Sequence, residues 1–409
     1  MKKGVTNRVG SPVRGKDFFG RERFVDLLWQ KILHGNILLA APRRFGKTSV
    51  MYRLIDEPRY ESKVIHADLE SVTEPTELII QLIEGLAKDG SFADSVGKIG
   101  FVQKSWNSFR KNFAEIDLHF VKVKLRDEIR EDWQTKGKEL FEKVAENDSV
   151  VIFILDEFPM MLDTMLRNNR KGEAKILLRW FRSLRLAPDL QDKIRFVIAG
   201  SIGIDHVLHD LDEIASINDF EKLKLEPFPP KIAKEFLDEL CATHTLPLTQ
   251  EIRAKLLGSI GKPIPFFIQV LFSEVHKTYF QDEEEITEET VEKIYRDKVL
   301  GVDCKTYFEH YYGRLRLYYE PGEEKAARKI LREIAVSGDL KKTTCFQIFQ
   351  QVLGKKADLE HFGSLLAELE NDFYITFNYE KDTYEFGSKL LRDWWLRHYG
   401  MTIEAHDER

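Results

Sequence analysis

Short apolar runs alternate with amphipathic stretches through the first half of the chain. Phe24, Leu27, Leu28, Lys31 and Ile32 follow a helical period that Gly35 closes. Asn36–Ala41 is an apolar run that opens into a Pro- and Gly-containing loop, which suits a buried strand. Lys47–Ile55 is helical and must stop before Pro58. Val64–Leu69 predicts a second strand, Thr76–Ala87 an amphipathic helix and Trp133–Glu146 another helix. Val150–Leu155 is apolar at every position, the pattern of a strand buried on both faces. Helices are predicted over Pro159–Met165 and Glu173–Arg185, a further apolar strand over Ile194–Ala199, and a short one at Leu223–Leu225. Strands that alternate with helices predict a parallel sheet of the α/β class.

Residues 90–130 interrupt this rhythm and read as an insertion. Lys104, Trp106, Phe109, Arg110, Lys111 and Phe113 mix charge with aromatic rings, and Ile116–Leu125 alternates like a half-exposed strand pair. The mixed segment suits an amphipathic helix docked on the core, with stacking of single-stranded bases as the alternative. After Pro230 the strands cease. Ile232–Cys241, Gln250–Ile260, Pro265–Thr278 and Glu288–Val299 are helical patterns and predict a lid. Helices at Glu323–Val336, Thr344–Val352 and Leu359–Glu370, followed by Tyr374–Tyr379 and Thr383–Phe386, are the parts of a winged helix, and Lys389–Tyr399 closes the chain as a helix. The expected divisions are a flexible arm at 1–17, a core at 18–228, a helical lid at 229–300 and a winged-helix-like domain at 301–409.

Composition adds exclusions. The 409 residues are 43% apolar, enough for a core, and carry a formal charge of −6, so nothing global attracts DNA or an acidic membrane. Cys241, Cys304 and Cys345 lack disulfide or metal-ligand spacing and read as reduced core residues. No apolar run is long enough to span a bilayer, and the basic N-terminus lacks the apolar stretch of a signal peptide, so a cytoplasmic protein is expected.

The chemistry concentrates at strand ends. Ala41, Pro42, Arg43, Arg44, Phe45, Gly46, Lys47, Thr48 and Ser49 join a predicted strand to a predicted helix in the pattern of a phosphate-binding loop. Backbone N–H groups and the positive helix end would surround a phosphate, Lys47 would neutralise its oxygens, Gly46 would allow close approach, and the Thr48 hydroxyl would ligate Mg²⁺. Ala41 stands where this pattern usually has its first glycine. The Val150–Leu155 strand ends in Asp156 and Glu157. Surface acids seldom follow a fully apolar strand, because burying charge is costly. Asp156 suits the Mg²⁺ shell, and Glu157 the polarisation of attacking water. Ser201, just past the next apolar strand, is a candidate to reach the γ-phosphate or the water. A helix N-cap role is equally compatible with it.

Phe19-Gly20-Arg21-Glu22, the Pro42–Thr48 loop, Leu155-Asp156-Glu157-Phe158-Pro159, Ala199-Gly200-Ser201 and Gly261-Lys262-Pro263 together resemble the archaeal-type ATPases of the STAND branch of AAA+-like P-loop proteins. The resemblance covers roughly residues 18–280. It implies a five-stranded core with the Asp-Glu strand between the phosphate-loop strand and the Ser201 strand. It also implies that Phe19, Gly20 and Arg21 lie near adenine, that Pro263 lies in the lid over the nucleotide, and that nucleotide-dependent switching or assembly matters more than fast turnover. Family members often carry an arginine shortly after the Gly-Ser strand. Here Ile217–Glu221 has none, leaving Arg170, Arg179, Arg182 and Arg185 as alternatives that also suit a solvated helix face.

Remaining signals concern partners. His206 and His209, flanked by Asp205 and Asp210, suit a polar helix cap better than a metal site. Asp358, Glu360, Glu368, Glu370 and Asp372 crowd the expected recognition helix against Lys355 and Lys356, the wrong sign for phosphate, although Lys341 and Lys342 form a modest patch. Trp394, Trp395 and Tyr399 offer an apolar anchor for a protein partner. The expectation is an ATPase with ATP and Mg²⁺ as cofactors, acting as a molecular switch that meets protein or itself. An ATP-dependent DNA-binding regulator is the alternative, and a module that holds nucleotide without turnover a third reading.

Overall fold

The computed structural model describes residues 4–110, 115–200 and 203–401. The chain forms two compact units. One comprises residues 21–41 and 50–225, the other residues 1–20, 42–49 and 226–409.

The first unit is an α/β fold built on a five-stranded parallel sheet with helices packed against it. Its elements run α1 (Glu22–Ile32), β1 (Asn36–Ala40), α2 (Lys47–Asp56, entering this unit at Val50), β2 (Lys63–Asp68), α3 (Pro75–Asp89), α4 (Gly100–Arg110), α5 (Glu115–Ile129), α6 (Trp133–Ala145), β3 (Val151–Asp156), α7 (Phe158–Arg167), α8 (Lys171–Arg185), α9 (Pro188–Gln191), β4 (Ile194–Gly200), α10 (Ile204–Asp210) and β5 (Phe220–Lys224). The sheet is parallel, in the order β2-β3-β4-β1-β5. This corrects one expectation: the Ser201 strand, β4, lies between the phosphate-loop strand and the Asp-Glu strand. Every residue of β3 is buried, as its unbroken apolar run requires of a central strand covered on both faces.

The expected strand pair at 116–125 is also corrected: the segment lies in helix α5. Over so short a stretch, period-2 and period-3.6 patterns share positions. Leu125 and Ile129, four apart, are fully buried in the core, with Val121 packed against it. Salt bridges fix the helix in place. Lys122 meets Glu84 at 2.7 Å, and Arg126 pairs with the buried Glu74, which Arg170 also holds at 2.9 Å. Trp106 and Phe109 of α4 are buried in the same core, so this segment is a docked amphipathic helix and those rings are not offered to bases. Phe113 lies outside the described residues.

The second unit contains helices α11 (Pro230–Thr243), α12 (Gln250–Ile260), α13 (Pro265–Phe280), α14 (Glu288–Lys293, continuing as a π-helical turn Ile294–Val299) and α15 (Lys305–Tyr318). Then come α16 (Pro321–Ser337), β6 (Asp339–Lys341), α17 (Lys342–Leu353), α18 (Leu359–Asn371), β7 (Ile375–Asn378), β8 (Thr383–Phe386) and α19 (Lys389–Tyr399). The strands form an antiparallel sheet in the order β6-β8-β7. Trp394 and Trp395 are fully buried, and Tyr399 stacks on Tyr312 at 3.6 Å between ring centroids. The expected apolar anchor is therefore consumed by the domain's own core. Cys241, Cys304 and Cys345 are free and buried, and no helix among the described residues is long and apolar enough to cross a membrane.

Candidate active site

The sheet register sets the level at which functional side chains emerge. Ala40 lies opposite Gly200, and Leu155 opposite Ile198, so β1, β3 and β4 end at one edge of the sheet. From that edge β1 leads directly into the phosphate loop, β3 into Asp156 and Glu157, and β4 into Ser201. Ser201 itself lies outside the described residues.

The acid pair is built within the first unit. Asp156 is buried, one carboxylate oxygen accepts the Glu157 N–H at 3.0 Å, and the other stands 4.0 Å from Nε2 of His66 on β2. Its carbonyl accepts the Leu69 N–H at 3.0 Å. Asp156 is thus oriented by backbone from two elements. Glu157 adopts φ 56°, a left-handed conformation that is costly for a residue with a Cβ and recurs at functional sites. It stands at the N-cap position of α7, which lets the chain turn from strand to helix in a single residue.

Pro159, on the first turn of that helix, explains why β4 ends in glycine. A Cβ on Gly200 would fall 2.6 Å from Pro159 Cδ and 2.7 Å from Cγ. Two motifs far apart in sequence therefore interlock by close approach. Gly200→Ala is expected to destabilise the protein by about 1–3 kcal/mol through overpacking. Thermal unfolding of the variant checks this, and an unchanged midpoint would show that the start of α7 yields freely.

The phosphate loop is built within the second unit. Gly46, at φ 93°, requires glycine for its backbone angle. Arg44 is also left-handed, at φ 74°. Lys47, 8% exposed, stands at the first position of α2, whose leading N–H groups lack intrahelical partners and favour an anion. Ser49 is buried, and its hydroxyl accepts the Val13 N–H at 3.0 Å. The outward side chains of the loop are engaged. The Arg44 guanidinium donates to the Gly10 carbonyl at 2.9 Å and lies 4.5 Å from the centroid of the Phe266 ring, and burial lowers its pKa. Phe45, 2% exposed, packs edge-on against Phe373 beside β7, with centroids 4.9 Å apart. Burial, with Arg44, Arg314 and Arg43 nearby, pushes His310 down to about 3, so its imidazole stays neutral.

The loop offers leading helix N–H groups and one buried ammonium, a donor set that suits an anion, and the first unit by itself presents an oriented carboxylate at Asp156. Comparison with known proteins supports the fold. A Walker-type ATPase of Pyrococcus abyssi superposes with a TM-score of 0.63 at 18% identity, covering 95% of this chain and 99% of that one. The ORC2 protein of Aeropyrum pernix, solved in ADPNP–ADP complexes, superposes with a TM-score of 0.52 at 12% identity over 93% and 92% of the two chains. No family model matches the sequence, and no curated protein matches it. The likeness is one of fold, and it extends along nearly the whole chain.

The remaining candidates divide by burial. Phe19 packs 5.4 Å from Phe236 of α11. Gly20 has φ 72°, and a Cβ there would meet Ile232 at 2.5 Å. Arg21 is buried at the start of α1. The Pro263 carbonyl accepts the Phe228 N–H at 3.0 Å, which ties the Gly261–Pro263 turn to the segment before α11. Arg185 is no solvated face residue. Its side chain is fully buried, makes paired bonds to Asp219 at 2.8 Å each and donates to the Ser216 carbonyl. Arg170 holds Glu74, and Arg179 meets Glu213 at 2.7 Å, so both have structural employment. His206 lies 3.4 Å from Asp210 within α10, and no metal-binding group of three His, Cys, Asp or Glu occurs among the described residues.

Sequence reasoning missed His66, Phe266, Phe373 and the N-terminal residues that meet the loop. None carried a local motif. Only Gly10, a glycine between polar and apolar neighbours, offered a trace.

Proposed function

We propose that this chain binds ATP with Mg²⁺, hydrolyses it, and acts as a switch whose nucleotide state controls assembly or the binding of a protein partner. Lys47 and the loop N–H groups would hold the phosphates, and Thr48 and Asp156 would hold Mg²⁺, which when bound would supply neutralisation of phosphate charge. Glu157 would orient and deprotonate water, Ser201 is the candidate to reach the γ-phosphate or the water, and Phe19, Gly20, Arg21 and Pro263 are the candidates to meet the base. The likeness to a protein solved with ADPNP and ADP supports an adenine nucleotide.

One observation carries the switch reading: adjacent residues of the phosphate loop, Arg44 and Phe45, are seated on Phe266 of the lid and Phe373 of the C-terminal domain. A loop that rearranges around phosphate acts directly on both elements, which is the physical requirement for linkage.

The alternative, DNA regulation, draws on the fold likeness and on exposed Lys341, Lys342, Lys355 and Lys356. The carboxylates expected to crowd α18 are in part internal. Asp372 is buried against Arg314, Glu370 accepts the Phe377 N–H, and Asp358 caps α18, so these carboxylates serve the fold. The exposed face of α18 that remains carries Leu359, Glu360, Gly363 and Ala367, with no cation on it. That surface favours protein over phosphate.

The test is to compare full-length protein with ATP and with ADP, by sedimentation and by duplex-DNA binding at physiological salt. An ATP-dependent change in mass or in protein retained, with DNA binding weak, is expected. Identical behaviour in both nucleotides would overturn the switch, and micromolar, salt-dependent DNA binding would put the DNA reading first.

A further inference from the structure

Residues 5–17, expected to be a flexible arm, are fastened along their length within the second unit. At the lid end, the Asn7 N–H donates to Nε2 of His244 at 3.0 Å, and its side-chain amide donates to the Gln269 carbonyl at 3.2 Å. Val5 is buried. The segment is closed on itself by Asp17, whose buried carboxylate accepts the Thr6 N–H at 2.9 Å and pairs with Arg8 at 3.0 Å. At its other end it grips the phosphate loop, through the Gly10 carbonyl on Arg44 and the Val13 N–H on Ser49.

Gly10 shows that the fit is specific. Its φ is 78°, and a Cβ there would lie 2.6 Å from Arg44 Nη1, so a side chain strains the turn and displaces the guanidinium from its place. Arg44 is itself left-handed, a conformation that persists only when its surroundings hold it. Its guanidinium is engaged by the Gly10 carbonyl on one side and the Phe266 ring on the other.

We propose that residues 5–17 form a strap that holds the phosphate loop in its nucleotide-binding conformation, with Arg44 as the positioning residue it acts through, so that release of the strap sets the rate of nucleotide exchange. The inference rests on the ATP-binding reading and extends it to regulation. While Gly10 and Phe266 grip Arg44, the loop keeps the left-handed turn that precedes Gly46. With the strap lifted, Arg44 is free to return to ordinary backbone angles, and the loop N–H groups no longer converge. Coupling is reciprocal: if the strap favours bound nucleotide, nucleotide must hold the strap down by the same factor.

Two measurements on the full-length chain test this, using fluorescently labelled ADP with Mg²⁺. In stopped-flow chase, Gly10→Ala is expected to raise the dissociation rate by about tenfold, within the usual range of coupling between sites. A rate within twofold of wild type would overturn the strap. In limited trypsin digestion of the wild type, cleavage at Arg8, Arg14 and Lys16 is expected to slow severalfold when ADP and Mg²⁺ are added, a readout that does not depend on the variant folding. Equal cleavage with and without nucleotide would also overturn it. Failure of the two readings is distinguishable. A wild-type chain that binds no labelled nucleotide overturns the ATP site and the strap together, whereas tight binding with unaltered exchange and digestion overturns the strap alone.

Discussion

Glu157→Gln is expected to retain ATP while losing hydrolysis by about 10² or more, the lower range for loss of a general base. The structure makes this the cleaner of the two acid substitutions. Asp156 is buried and receives the Glu157 N–H on its carboxylate, so changing it would disturb the strand end as well as the metal shell. Glu157 is less enclosed, and glutamine preserves its length, its hydrogen bonding and the left-handed turn at φ 56°. The substitution therefore removes the base and little else. Phosphate release under single-turnover conditions checks it, together with filter retention of labelled ATP. Release at the wild-type rate would exclude Glu157 as the carboxylate that activates water, and loss of retention would show that the side chain serves binding instead.

Lys47→Ala is expected to weaken ATP binding by about 100-fold, as follows from losing a charged hydrogen-bond donor of roughly 1.5–3 kcal/mol at a buried phosphate site. Lys47 is 8% exposed, so its cation acts where water screens poorly. Alanine also removes a buried stem, and Lys47→Met separates the two effects by keeping apolar bulk without charge. Calorimetric titration with ATP and Mg²⁺ reads both variants. Both are expected to lose affinity alike. Unchanged affinity in both would rule out the phosphate-loop assignment, and loss in alanine alone would assign the effect to packing rather than charge.

Comparing these elements shows what kind of information a sequence carries. The α/β alternation, the buried β3 and the loop around Gly46 were legible because each depends on neighbours in the chain: apolar continuity, a glycine where φ is positive, a strand followed at once by a helix. The strand order was not. Whether β3 or β4 lies beside β1 depends on pairing between segments more than a hundred residues apart, and both are apolar runs that local pattern leaves interchangeable. The 116–125 segment failed for a related reason. Its alternation suits a strand until α5 finds α3 and the acids Glu74 and Glu84 to pair with, so tertiary packing overrides the local period.

Local pattern also settled that Asp156 and Glu157 follow a buried strand, because an unbroken apolar run announces a central strand wherever it sits. It could not settle which charges are spent on the fold. Arg185, Asp372 and Glu370 look like surface residues in sequence, yet they are tied to Asp219, Arg314 and the Phe377 N–H by the close return of distant chain. Trp394 and Trp395 look available and are buried. Most of all, the N-terminal segment reads as a loose arm because it has no periodicity of its own, and its order comes from His244, Gln269, Ser49 and Arg44. Local chemistry is written in the sequence because it acts over a few bonds. The partners of a polar group are decided only by folding, because burial without a partner is too costly and the chain must supply one from wherever it returns.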